Sequence, residues 1–181
     1  MGKLFDYEFS LEGRDKEVVV NDKMQKNYRY TRTMPVGDFS DLDGFKPELT
    51  PNEMLRLGVF EGKSLNDAKD EFPKSLFDGA KTSDVADPTL NFFKVKSRQP
   101  LSVWKKNGWI HKEDVRGYFQ WFVRLYFGRR CEDDERQVKR WKSFVARHKA
   151  QLEKNCKKGD HSCRPVQRQA LLQWGIDSRK I

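Results

Sequence analysis

Two histidines and two cysteines near the end of the chain have side chains that bind zinc, namely His148, Cys156, His161 and Cys163. Tetrahedral zinc sites are built from these ligand types. The spacing matches no familiar zinc finger, and His148 falls on an apolar helix face, so we expect no metal and no cofactor. Cys156 and Cys163 flank one loop and could pair if oxidised. Because no export signal is visible, we expect all three cysteines, Cys131 included, to be reduced thiols in cytoplasm.

General acid–base chemistry has two weak candidates, His111 and Asp134. His111 stands beside Glu113 and Asp114, and histidine is the side chain best suited to move a proton near neutral pH. Asp134 lies in the acidic run 133–135, which resembles a Mg²⁺-binding cluster. Acidic residues are equally favourable in the first turn of a helix, and we prefer that explanation for both runs. No P-loop, dinucleotide-binding glycine motif or nucleophile elbow occurs, so the sequence specifies no reaction.

A long helix is predicted over Asp133–Asn155, with two contrasting faces. At about 100° per residue, five residues form a stripe that we expect to be buried: Val138, Trp141, Val145, His148 and Leu152. Four basic residues lie almost opposite, and we call them the cationic ridge: Arg136, Arg140, Arg147 and Lys154. Such a ridge can contact phosphates along a groove. The alternative is an ordinary solubilising face.

The preceding segment supplies further arginines and aromatic rings. Apolar residues point in nearly every direction around a helix predicted over 114–127, which is typical of a central helix. We expect Arg124, within it, to form an internal salt bridge to an acidic residue of the first half. Arg129 and Arg130 follow this helix and are candidate phosphate contacts. Trp109 and Trp174 are candidate stacking surfaces for bases.

Composition narrows the class of protein. With 36% hydrophobic and 13% aromatic residues among 181, the chain can build a core and is not wholly disordered. Charged residues make up 35%, and no apolar run approaches the roughly 20 residues of a membrane span. We therefore expect a cytoplasmic protein with no membrane partner.

Charge is divided unevenly between the two halves, although the chain as a whole carries +9. Residues 1–90 contain 13 Lys and Arg against 18 Asp and Glu, whereas residues 91–181 contain 23 against 9 and all five tryptophans. Such asymmetry indicates contact with nucleic acid or a membrane.

The element pattern predicts a mainly α fold, with α+β as the alternative. Residues 1–27 are expected to form an arm or small β element, because Leu4–Leu11 alternates and Val18–Val20 is a β-branched run. Residues 28–181 are expected to form one helical domain with an acidic first part and a basic, Trp-rich second part. Thr50-Pro51-Asn52-Glu53 predicts a capped helix start. Further helices are predicted at 64–73, 102–104, 114–127, 133–155 and 165–174, and a strand or extended segment at 90–95.

Several motifs together resemble a family of conserved hypothetical proteins, over about residues 28–181. The match departs at Glu61-Gly62-Lys63, where that family has Gly-Gly-Lys. The resemblance implies no activity, cofactor or fold. The motifs include Phe45-Lys-Pro-Glu-Leu-Thr-Pro-Asn-Glu-Met-Leu, Pro100-Leu-Ser-Val-Trp, Gly108-Trp-Ile-His, Gly117-Tyr-Phe-Gln-Trp, Gly128-Arg-Arg, Arg136-Gln-Val-Lys-Arg-Trp, Arg168-Gln-Ala-Leu-Leu-Gln-Trp and Asp177-Ser-Arg-Lys-Ile.

These observations favour a non-enzymatic protein that binds nucleic acid, DNA or RNA, through its phosphate backbone. One alternative is an enzyme acting on nucleic acid or its bases, with His111 or Asp134 near the chemistry. The other is a protein-interaction module, with a protein partner, whose acidic first half folds back over the basic half. The expected nucleic-acid contacts are Arg129, Arg130, Arg136, Arg140, Arg147, Lys154, Trp109 and Trp174.

Overall fold

The computed structural model describes residues 15–181, and within that range the fold is mainly α with a small β part, as predicted. Two strands pair antiparallel, with Glu17 opposite Thr31 and Val20 opposite Tyr28. The predicted alternation at Leu4–Leu11 lies outside the described residues. The elements in order are β1 (Glu17–Val20), β2 (Tyr28–Thr31), α1 (Pro51–Leu57), α2 (Leu101–Lys106), α3 (Tyr118–Tyr126), α4 (Asp134–Asn155) and α5 (Pro165–Gln173).

Helix α3 is the centre of the core, as its all-round apolar pattern predicts. All nine of its residues are buried, and Trp121 is completely inaccessible to solvent. The Trp121 indole N–H donates to Asp134 Oδ1 at 2.8 Å, which ties α3 to the start of α4. Aromatic rings from Phe45 and Trp141 pack beside it. Because a buried indole needs an acceptor, this one contact fixes both the position of α4 and the role of the Asp134 carboxylate.

The predicted helix over 114–127 begins later than expected, at Tyr118. Gly117 precedes it with φ 89° and ψ −161°, a backbone conformation open only to glycine. A Cβ on Gly117 would lie 2.8 Å from the Trp104 ring, so the glycine also allows α2 to pack closely. Asp114 therefore does not lie in a first helical turn, and that interpretation was wrong.

The connection between α1 and α2 is irregular, with short 3-10 turns. The capping box at Thr50 and Glu53 is present as predicted. The helix predicted at 64–73 is replaced by turns, because Leu65 has φ 57° and only Lys69–Glu71 is helical, as a 3-10 turn. The segment 90–95 is neither strand nor extended, but a series of turns.

Helices α4 and α5 agree with their predicted bounds to within one residue at each end. The loop between them folds back so that the Cα atoms of Cys156 and Cys163 are 5.8 Å apart, and the two form a disulfide. The expectation of three reduced thiols was therefore wrong for this pair, and Cys131 is the free cysteine among the described residues. No helix within residues 15–181 is long and apolar enough to cross a membrane.

Candidate functional site

Four buried charged groups form what we call the arginine network: Glu71, Asp114, Arg124 and Arg129. Arg124 Nε donates to Glu71 Oε1 at 2.6 Å, and Arg124 Nη1 is 3.1 Å from Asp114 Oδ1. Arg129 Nη2 donates to the other Asp114 oxygen at 2.7 Å. The internal salt bridge predicted for Arg124 is confirmed, and its partner Glu71 does belong to the acidic first half.

The network accounts for Arg129 and Arg130 in a way that the sequence did not suggest. Arg129 is 1% exposed. Burial disfavours its charge, yet the Asp114 carboxylate keeps the pKa of Arg129 above its usual value. Arg130 binds both carboxylate oxygens of Asp41 at 2.8 Å and donates to the Asp38 carbonyl. Arg129 is thus not available to a phosphate, and Arg130 is engaged by a bidentate partner.

The weak catalytic candidates have structural partners instead. His111 Nε2 lies 3.5 Å from Glu132 Oε1. Asp134 accepts hydrogen bonds on both oxygens, from the Trp121 indole and from the Cys131 backbone N–H. No group of three or more His, Cys, Asp or Glu side chains that could hold a metal occurs in the described part of the chain. His111 and Asp134 are therefore not brought together into a reactive group.

The cationic ridge lies on α4 opposite its buried stripe, but its members differ. Val138, Trp141, Val145 and Leu152 are buried as predicted, whereas His148 is only partly so. Arg147 and Lys154 are exposed and form no ion pair within residues 15–181. Arg136 is exposed and hydrogen-bonded to Asp133, which raises the pKa of the Arg136 guanidinium. Arg140 turns inward, 5.9 Å from the Trp174 ring, and burial lowers its pKa.

Arg140 marks the entrance to what we call the aromatic pocket, a cavity of about 200 Å³. Trp109 and Trp174 line it too, so three residues predicted as nucleic-acid contacts meet here although they lie far apart in the chain. The remaining lining residues are Phe60, Ser97, Arg98, Gln99, Trp104, Ile110, Tyr118, Phe144, Ala170 and Gln173.

The two predicted tryptophans make different contributions to this pocket. Trp174 is stacked between Tyr118 and Phe144, with ring centroids 4.2 and 4.3 Å away, so both of its faces are covered. Trp109 is 45% exposed and offers its ring to solvent. The Tyr118 hydroxyl is buried without a hydrogen-bond partner in the described part of the chain. The pocket therefore has one open ring and one unused hydroxyl.

No protein-family model, curated protein or solved structure matches this chain. The resemblance over residues 28–181 stays a prediction, and the site is interpreted from its own geometry.

A larger cavity of about 750 Å³, which we call the basic cleft, adjoins the aromatic pocket. Phe60, Arg98 and Trp104 line both cavities. Five cationic residues line the cleft: Lys23, Lys63, Lys96, Arg98 and Arg116. Its acidic lining residues are Glu61, Asp67 and Asp84. The Arg116 charge is offset, since its guanidinium bonds to Asp67 and Asp22, so the remaining cations outnumber the remaining carboxylates.

Sequence reasoning missed Arg98, Trp104 and Tyr118 as site residues. Arg98 is isolated in a polar segment, and nothing local indicates that it meets α5. The clustering of all tryptophans in the basic half was the available signal, and it pointed to the right half without separating core rings from pocket rings. Trp121 and Trp141 are buried, while Trp104 and Trp109 line a cavity.

Ion pairs between the acidic and basic halves use part of the positive charge. The pairs that join residues 15–90 to residues 91–181 are Glu61–Arg98, Asp22–Arg116, Asp67–Arg116, Glu71–Arg124, Asp41–Arg130, Asp43–Lys142 and Glu48–Lys149. None of them involves Arg147 or Lys154. The fold-back of the acidic half therefore leaves the far end of the cationic ridge open.

Proposed function

We propose that this protein binds nucleic acid, with phosphates along the exposed part of the cationic ridge and an unstacked base at the aromatic pocket. The observation that carries the proposal is the meeting of Arg140, Trp109 and Trp174 around one cavity beside the ridge. Positive charge tracks a phosphate backbone, and aromatic rings stack on bases. A base must leave its pair to enter a pocket, so single strands are the favoured form.

The dimensions of the site suit this assignment. Arg136 and Lys154 are 18 positions apart on one helix, so the ridge spans about 27 Å at 1.5 Å per residue. This length can serve several phosphates. A cavity of about 200 Å³ is smaller than the roughly 300–1,000 Å³ of typical pockets for larger ligands. It therefore suits a single ring system.

A protein-interaction module is the second candidate, and the ion pairs between the two halves favour it. A partner with a more acidic surface could displace the acidic half from the basic one. The binding experiment below separates the two candidates, because a module of this kind would have no affinity for isolated nucleic acid.

The proposal is tested by fluorescence anisotropy with labelled single-stranded RNA, single-stranded DNA and duplex DNA over a range of salt concentrations. If Arg136, Arg147 and Lys154 contact three phosphates of a single strand, log K should fall with a slope of about −2 against log salt. An affinity independent of salt, or a preference for duplex, would contradict the arrangement.

A charge-matched pair of variants locates the contact. Replacing Arg136, Arg147 and Lys154 by Gln should weaken binding and bring the salt slope close to zero. The control replaces the exposed Lys16, Lys46 and Lys74 by Gln, which removes the same charge from other segments. Equal losses for both variants would mean that general positive charge, and not the ridge, attracts the nucleic acid.

A further inference from the structure

The turn after α1 has an unusual backbone. Phe60, Glu61 and Gly62 have φ of 53°, 59° and 71°, so three consecutive residues are left-handed. This conformation is routine for glycine but unfavourable for Phe60 and Glu61, because their Cβ atoms crowd the backbone. Such strain persists only where the surroundings hold it, and it is concentrated at functional sites.

Buried amide side chains hold this turn in place. Asn91, 1% exposed, accepts a hydrogen bond from the Glu61 backbone N–H at 2.8 Å. Gln173 on α5 accepts from the Phe60 N–H at 3.2 Å and donates to the Ser97 carbonyl at 3.0 Å. The turn is thus fixed by residues from two distant segments, and Gln173 also fixes the backbone next to Arg98.

The consequence is a buried carboxylate placed against an arginine. The Glu61 side chain is 5% exposed, and its Oε2 lies 3.5 Å from Arg98 Nε. Its other oxygen has no hydrogen-bond partner within residues 15–181. The Arg98 side chain is 22% exposed, and its two terminal nitrogens form no hydrogen bond in the same range. The guanidinium is therefore held from its Nε side while its terminal nitrogens stay open.

Arg98 is situated where an anion and a ring can be bound together. It lines the basic cleft and the aromatic pocket at once. Lys63 and Lys96 line the cleft beside it, and neither forms an ion pair within the described residues. A guanidinium matches the two oxygens of a phosphate better than an ammonium does. The open Tyr118 hydroxyl and the exposed Trp109 ring lie on the pocket side.

The geometry points to a site for one nucleotide unit, with its phosphate on the open nitrogens of Arg98 and its base in the aromatic pocket. Glu61 is a positioning residue that orients the Arg98 guanidinium. Lys63 and Lys96 add charge at the phosphate, and Trp109 offers a stacking face. This inference deepens the proposed function, on which it rests for the identity of the ring, by naming what the pocket recognises.

The test uses mononucleotides with the full-length protein. Binding of adenosine monophosphate, adenosine and inorganic phosphate is measured by calorimetry and by tryptophan fluorescence. We expect adenosine monophosphate to bind roughly tenfold or more tighter than adenosine, because its phosphate adds charged hydrogen bonds. Equal affinity for the two, or no binding of adenosine monophosphate, would overturn the inference. In the second case, binding of single strands along the ridge would still support the proposed function.

Two variants separate the phosphate from the base. Arg98→Lys keeps the charge but loses the fork, so the preference for adenosine monophosphate over adenosine should fall roughly tenfold while adenosine affinity is unchanged. Glu61→Gln should lower the same preference if the carboxylate orients Arg98. A gain in affinity would instead show that Glu61 merely repels the phosphate, and would overturn its positioning role.

Matched controls come from an exposed pair of the same types. Arg29 and Glu17 form a surface ion pair with side chains 60% and 55% exposed. Arg29→Lys and Glu17→Gln should leave all three affinities unchanged. If they changed nucleotide binding as much as the Arg98 and Glu61 variants do, the site would not be at Arg98. Thermal unfolding of each variant confirms that it is folded, and the difference between adenosine and adenosine monophosphate then reports on the phosphate alone.

Discussion

The arginine network and the cationic ridge draw on the same basic half of the chain but use arginine in opposite ways. In the network, Arg124 and Arg129 are removed from water, and nearly all of their donors are satisfied by carboxylates and carbonyls. On the ridge, Arg147 and Lys154 keep their hydration and form no ion pair among the described residues. Burial of a charge is tolerated only with such partners. Net charge alone therefore does not indicate how many arginines can reach a ligand.

Arg98 and Arg140 are intermediate between these extremes. Each is half-buried, and each retains only one printed hydrogen bond to the protein, to Glu61 and to Gln137 respectively. Partial burial lowers the dielectric around a guanidinium and strengthens its pairing with an anion, while the open nitrogens leave room for that anion. The comparison suggests that the most useful arginines for binding are the incompletely paired ones at a cavity.

The largest effect should come from breaking the arginine network. Arg124→Met should lower the free energy of unfolding by about 3–5 kcal/mol, because it leaves the buried Glu71 carboxylate without its main partner. Urea denaturation followed by tryptophan fluorescence measures this. Adding Glu71→Gln to Arg124→Met should recover part of the loss, since it removes the uncompensated charge. A loss below about 1 kcal/mol would mean that the network is not a stabilising unit.

Sequence reasoning found the salt bridge of Arg124 but not the arrangement around it. An arginine within an apolar helix must be paired, so its fate followed from helical periodicity alone. Arg129 and Asp114 were misplaced because both depend on Gly117, whose non-helical backbone delays α3 and turns the preceding segment toward the core. A single glycine inside an apolar pattern does not reveal that it will interrupt the helix.

The candidate site divides in the same way. The ridge of α4 follows from a regular spacing and was predictable. The Glu61–Arg98 pair was not, since left-handed φ values at Phe60 and Glu61 depend on Asn91 and Gln173, which are distant in sequence. The disulfide likewise depends on how the 157–162 loop folds back, which residue types do not determine.

An intermediate effect is expected at Asp177, which pairs with the half-exposed Arg179 and the exposed Lys180. The Arg179 hydrogen bonds lower the pKa of Asp177 to about 2. An unfolded Asp titrates near about 3.9, so between these values the unfolded chain binds more protons. Stability is therefore complete above about pH 4 and is lost as the pH falls toward about 2.

Asp177→Asn tests this link between partner exposure and stability. At neutral pH it should cost roughly 1–2 kcal/mol, less than Arg124→Met, because solvent screens its cationic partners. The variant should also lose less stability than the parent protein between about pH 4 and pH 2, measured by urea denaturation at each pH. Identical acid profiles for the two proteins would show that Asp177 does not contribute to acid unfolding.

The smallest effect is expected on the ridge, where conservative changes separate stability from binding. Arg147→Gln should change the free energy of unfolding by no more than about 0.5 kcal/mol, because it replaces one exposed helix former with another and breaks no ion pair. Arg147→Lys should be neutral as well, whereas Arg124→Lys should destabilise the protein clearly, since an ammonium cannot replace a fork bonded to two carboxylates. Chemical denaturation of the three variants measures this contrast. Similar losses from both lysine substitutions would break the comparison, because Arg147 would then have a structural partner and would be a poor candidate for contacting phosphate.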